Sequence, residues 1–118
     1  MMHTTGHRRE RLEDQIRNEV AEMIAGDLKD PRIGFATVTR VELTPDFRHV
    51  RVLISVLGSP EECEATMAGL ASAVGYVRRE IGRRLRTRRT PEVTFVLDRG
   101  AEEAQRIEKL LQKLHPPE

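Results

Sequence analysis

The strongest constraint on the fold is an alternating apolar run. Val50, Val52, Ile54 and Val56 are interleaved with Arg51, Leu53, Ser55 and Leu57. Successive strand side chains point to opposite faces, so one face of this segment is wholly apolar and the other mixed. Residues 47–57 are therefore predicted as a strand covered on one side. Residues 35–43 (FATVTRVEL) are rich in β-branched types and form a second predicted strand. Thr44-Pro45-Asp46 supplies turn chemistry between them, which makes an antiparallel hairpin.

Helical periodicity flanks the hairpin. Leu12, Ile16, Val20, Ile24 and Leu28 recur every four residues, predicting a helix over 8–28 that Pro31 stops near Lys29. Ser59-Pro60-Glu61-Glu62 has the form of a capping box, opening a helix over 60–72. That helix is built of small residues (Ala65, Ala68, Gly69, Ala71, Ala73) and its periodicity is weak. Gly75 interrupts it, since a helix-interior glycine costs about 0.5–1 kcal/mol against alanine. A helix then resumes over 76–87 with Val77, Ile81 and Leu85 on one face. Residues 92–97 (EVTFVL) form a third strand, and an amphipathic helix over 99–114 follows. The order α-β-β-α-α-β implies an α+β domain, a three-stranded sheet with helices packed on one face.

Net charge is +1, but its distribution is uneven. Residues 76–90 hold seven arginines against Glu80 alone, while the rest of the chain is slightly acidic. At about 100° per residue, Arg79, Arg83 and Arg86 lie opposite the apolar stripe of this helix. Gly75 and Gly82, seven residues apart, project along one line between Arg78 and the Arg79/Arg86 pair. The expectation is a strip where a phosphate backbone approaches the helix at the two glycines and guanidinium groups make bidentate contacts to it. The helix start near Gly75 adds free N–H groups. Arg88 and Arg89 extend the patch beyond the helix. Glu80 and Arg84 are spaced as an i,i+4 ion pair.

Other chemistries find little support. Aromatic residues make up 3% of the chain, too few for a base-stacking platform. His3, His7, His49 and His115 match no zinc pattern, so no metal or cofactor is expected. Cys63 sits between Glu62 and Glu64, which disfavours a thiolate nucleophile, and a single cysteine excludes a disulfide framework. Asp30-Pro31-Arg32 is read as helix termination with a local Asp–Arg contact. Nothing proposes a reaction, and no stretch approaches the roughly 18 apolar residues of a membrane span.

The element order is that of a type II KH domain, yet the glycines provide no GXXG loop. Ala73-Val74-Gly75 stands at the helix junction instead. That Ala-x-Gly kink is similar to the hallmark of the ribosome-binding factor A family. Leu28-Lys29-Asp30-Pro31-Arg32, Val38-Thr39-Arg40-Val41-Glu42, Thr44-Pro45-Asp46-Phe47-Arg48-His49, Arg78-Arg79-Glu80-Ile81 and Arg88-Arg89-Thr90-Pro91-Glu92 resemble the same family. The resemblance runs from about Arg8 to Arg106. The expected organisation is a flexible tail over 1–7, a KH-like domain over 8–98 and a C-terminal amphipathic helix and tail over 99–118, the last of which inherits no role from the resemblance. With no targeting evidence the cytoplasm is the default setting, and the resemblance implies a monomeric, non-catalytic factor. Such a factor binds the small (30S) ribosomal subunit and 16S rRNA, precursor included, during late maturation and rRNA processing, with a link to cold adaptation. Ala73, Val74 and Gly75 are then the kink, and Arg78, Arg79, Arg83, Arg86, Arg88 and Arg89 the RNA-binding surface. The alternatives are a general KH-like RNA chaperone without ribosome specificity and a protein–protein adaptor using the edge strand or last helix.

Overall fold

A computed structural model describes residues 4–114 of the chain. Met1–His3 and residues 115–118, with His3, His115 and the Pro116-Pro117 pair, lie outside the described residues. Helix α1 (Thr4–Glu22) leads into a π-helical turn at Met23–Asp27, closed by a hydrogen bond from Leu28 N to Met23 O of 2.9 Å. The helix thus starts four residues before the expected position. Extending an existing helix adds one bond per residue fixed, so a polar turn can join it without an apolar stripe.

Strands β1 (Phe35–Leu43) and β2 (His49–Leu57) form the antiparallel hairpin. Strand β3 (Glu92–Leu97) pairs with β2 in parallel, so β2 is the central strand. Between them run α2 (Pro60–Ser72) and α3 (Val74–Leu85). Ile16, Val20, Met23, Leu70, Val77 and Ile81 meet Val41, Leu43, Val50, Val52, Ile54 and Val93 in one core.

Three local devices make this packing work. First, β1 carries a bulge at Thr39: Val38 pairs with Ile54, and Arg40 with the next residue, Leu53. In an unbroken alternation Ala36 and Val38 would bring Arg40 and Glu42 inward. The extra residue reverses the parity, so Val41 and Leu43 are buried instead. Second, β2 begins at His49, two residues late, because Phe47 adopts φ 62° in the turn. Thr44 Oγ1 donates to Asp46 Oδ1 there (2.7 Å). Third, the capping box at α2 is complete: Ser59 Oγ accepts from Glu62 N (3.1 Å) and Glu62 Oε1 accepts from Ser59 N (2.8 Å).

The helix break lies at Ala73, not Gly75. Ala73 takes φ −91°, ψ −1°, a sparsely populated bridge conformation that ends α2 and starts α3. The bend lets Leu70 and Val77, on either side of it, both reach the core. Gly75 falls in the first turn of α3, where N–H groups lack helical partners in any case. The small residues of α2 also have a use. Gly69 has no room for a Cβ, which would lie 2.8 Å from Ile33 Cγ1. Thr66 Oγ1 accepts from Gly34 N (3.0 Å), holding the loop before β1 against α2.

Helix α4 (Gly100–Leu114) is amphipathic, as expected. Its Ile107, Leu110, Leu111 and Leu114 are each more than half exposed, so its apolar stripe has no cover among the described residues.

Candidate nucleic-acid interface

Helix α3 buries Val77 and Ile81 completely. That anchors its arginines in fixed directions, and the structure sorts them into three groups.

Arg84 turns inward. It is 21% exposed and reaches three carboxylates: Asp27 Oδ2 (2.6 Å), Glu19 Oε1 (3.1 Å) and Glu80 Oε1 (3.1 Å). These bonds, led by Asp27, raise its pKa further above the ordinary guanidinium value. Tyr76 also donates to Asp27 Oδ2 (3.2 Å). Arg84 therefore ties α1, the π-turn and α3 together, and the expected Glu80–Arg84 pair is one spoke of a larger hub.

Arg78, Arg79 and Arg83 turn outward. Arg83 is 70% exposed and pairs with Glu80 at 2.6 Å, and Arg78 pairs with Glu92 at 3.2 Å with both side chains about half exposed. An exposed pair such as Arg78–Glu92 contributes only about 0.2–1 kcal/mol, so a phosphate can displace its carboxylate; Glu80 is 17% exposed, but the Arg83 guanidinium stays open to solvent. Arg79 has no ion pair among the described residues; its Nη1 lies over Gly75, 3.6 Å from where a Cβ would be. Nothing else crowds Gly75, and no side chain caps the α3 N-terminus at Ala73. Close approach of a backbone to this end of the helix is open.

Gly82 corrects the other half of the expected strip. A Cβ there would lie 2.4 Å from Thr90 Oγ1, so the space beside Gly82 is filled by the loop that leads to β3. The glycine serves packing, and no phosphate can enter at that point.

Arg86, Arg88 and Arg89 form the third group. Arg86 ends α3 in the left-handed region (φ 53°, ψ 41°), which swings the chain off the helix axis. The three arginines then line a cleft of about 680 Å³ shared with Arg8, Arg11, Asp46 and Phe47. The Arg8 guanidinium sits over the Phe47 ring, 5.5 Å from its centroid. The six arginines expected to act together thus occupy two surfaces. Arg8 and Arg11 carry no local sequence signal for this role, since only a tertiary contact brings the first helix beside the loop after α3.

Asp30-Pro31-Arg32 behaves as expected. Arg32 donates to Asp30 through its backbone N (3.0 Å), Nε (3.0 Å) and Nη2 (2.6 Å), and Nη2 also reaches Ser72 Oγ (3.1 Å). No cluster of His, Cys, Asp and Glu suited to a metal occurs among the described residues, and no described helix is long and apolar enough to cross a membrane.

Residues 8–111 match the family described as ribosome-binding factor A. The chain is 45% identical over 108 residues to the ribosome-binding factor A of Thermomicrobium roseum, covering 92% of this chain and 84% of that one. A solution structure from Thermotoga maritima superposes with a TM-score of 0.69 at 38% identity, covering 79% of this chain and 89% of that one. A homology model of the Thermus thermophilus ribosome-binding factor A, fitted into a cryo-electron microscopy map of its complex with the 30S subunit, gives a TM-score of 0.65 at 30% identity. It covers 76% of this chain and 94% of that one. Sequence and fold agree, and the chain belongs to the ribosome-binding factor A family.

Proposed function

We propose that this protein is a non-catalytic assembly factor that docks the outer face of α3 on 16S rRNA within the small ribosomal subunit. It acts in the cytoplasm as a monomer, on precursor subunits in late maturation and rRNA processing, and this extends to growth in the cold. The observation that carries this reading is the state of the outward arginines. Arg79 is unpaired among the described residues and lies over the open backbone at Gly75, and Arg83, 70% exposed, is held by Glu80 alone. The complex of the Thermus thermophilus relative with the 30S subunit supports the same partner. Binding without chemistry acts by differential affinity: the subunit conformation that fits the arginine face better is favoured.

Co-sedimentation with small subunits across a salt titration tests this. About three guanidinium–phosphate contacts, from Arg78, Arg79 and Arg83, give a slope of log K against log salt of roughly −2.1 to −2.7. A slope near zero, or equal retention on unrelated structured RNA, contradicts the proposal.

A further inference from the structure

We infer that the arginine-walled cleft is a second RNA site, one that takes the sugar–phosphate backbone of an unpaired strand. This rests on the RNA-binding reading above and assigns different kinds of RNA to different surfaces. Arg8 and Arg11 project from one side and Arg86, Arg88 and Arg89 from the other. None of the five forms an ion pair among the described residues, whereas Arg78, Arg83 and Arg84 all do. Asp46 is the single carboxylate in the lining. Its Oδ1 already accepts from Thr44 Oγ1 and Arg48 N, and the Thr44 bond leads in lowering its pKa. Five cations facing one anion leave a concentrated positive field that a polyanion relieves.

The backbone points to the same place. Phe47 and Arg86 are the two non-glycine residues with positive φ among the described residues, and both line the cleft. Strained conformations of this sort cluster at ligand clamps. Here one shapes the β1–β2 turn and the other the loop after α3, and both segments border the cleft.

Shape selects the form of RNA. A concavity of about 680 Å³ has the size of a small-molecule site. A duplex presents its phosphates on a convex surface and meets only the rim, whereas an unpaired strand can turn into the space. Phe47 is partly packed on the core and covered by Arg8, so it offers no free face for a base. Recognition is therefore by phosphate and tolerant of sequence.

The test compares oligouridylate with a hairpin RNA of equal length by fluorescence anisotropy across a salt series, using the full chain. Arg8→Ala with Arg11→Ala should make the salt slope for oligouridylate shallower by about 1.4, at about 0.7 per single-strand contact. Its hairpin binding should be unchanged, and Arg8→Lys with Arg11→Lys should keep most of the slope. If the alanine pair matches wild type on oligouridylate while Arg79→Glu with Arg83→Glu weakens both RNAs, the cleft assignment falls and the α3 reading stands. If neither variant weakens either RNA, both fall. Equal loss on both RNAs overturns the strand preference. Loss of binding to a polyglutamate peptide, with oligouridylate untouched, overturns the RNA assignment in favour of an acidic protein partner.

Discussion

Arg83 and Arg84 are neighbours in sequence and share Glu80, yet they belong to different regions of the molecule. Arg84 lies on the flank of α3 that meets α1, with three carboxylates from three elements around it. Arg83 lies on the outer flank, 70% exposed, with Glu80 as its one partner. The difference teaches that a count of arginines does not measure an RNA surface. What matters is how many carboxylates each guanidinium has already engaged, and how well water reaches the pair.

Charge reversal on the outer flank should produce the largest effect. Arg79→Glu with Arg83→Glu replaces two phosphate-facing cations by anions, and retention on small subunits should be lost, by more than about a hundredfold at low salt. Circular dichroism should remain native, because both side chains are surface groups. The inner flank predicts the opposite split. Arg84→Met leaves Glu19, Asp27 and Glu80 close together without their shared cation, so thermal unfolding should begin several degrees lower. Affinity for the subunit, measured well below that transition, should change little. An Arg84 variant that loses subunit binding while keeping its stability would dissolve the distinction between the flanks.

The sequence carried much of the fold for identifiable reasons. The capping box around Ser59, the β2 alternation and the Val77/Ile81 stripe are each local patterns with one physical solution. The bulge at Thr39 was legible in principle, because apolar parity in FATVTRVEL switches between Val38 and Val41. Attention to β-branched content alone passes over that switch. Helix propensity alone points to a break at Gly75. In the structure the need to bury both Leu70 and Val77 decides, and Ala73 bends. The candidate site was half legible. A helical wheel shows which arginines face away from the core, but not that Thr90 fills the space at Gly82 or that Arg8 and Arg11 complete a cleft. Those facts depend on how loops return.

The two α3 glycines offer a smaller and cleaner contrast. Gly82→Ala forces a Cβ to within 2.4 Å of Thr90 Oγ1. Thr90 must rotate away, giving up its contact with the Thr87 hydroxyl at 3.3 Å. Overpacking of this kind costs about 1–3 kcal/mol, against which helix propensity returns about 1. Gly75→Ala meets only the mobile end of Arg79. It should leave stability unchanged or raise it by up to about 1 kcal/mol, since alanine is the better helix former. Urea unfolding of the two variants checks the ordering. If Gly75→Ala also weakens subunit association at unchanged stability, the open backbone there is part of the interface. Full association would confine the interface to side chains.

The smallest effect concerns pH and sets the Asp30–Arg32 contact against the Arg84 hub. Hydrogen bonds from the Arg32 side chain, then its backbone, hold the Asp30 carboxyl down at about 2, against an ordinary value of 3.8. A carboxyl whose folded pKa is depressed stabilises the fold above its unfolded pKa, and that contribution fades as pH falls toward the folded value. The Asp30 contribution is therefore complete above about pH 4 and lost progressively down to about pH 2. Asp30→Asn should flatten the stability profile in that window and leave it unaltered at pH 7 apart from a constant offset. Because Arg32 also reaches Ser72, next to the bend at Ala73, the same variant reports whether this loop helps to hold the bend. The Arg84 hub should respond differently. Glu80 has a lowered pKa, held down first by Arg83, so its contribution also fades on acidification, but from a starting value of 4.5. An Asp30→Asn profile that stays as steep as wild type between pH 4 and 2 would place the acid sensitivity at the other depressed carboxyls, Asp46, Glu62, Glu80 and Asp98, and not at Asp30.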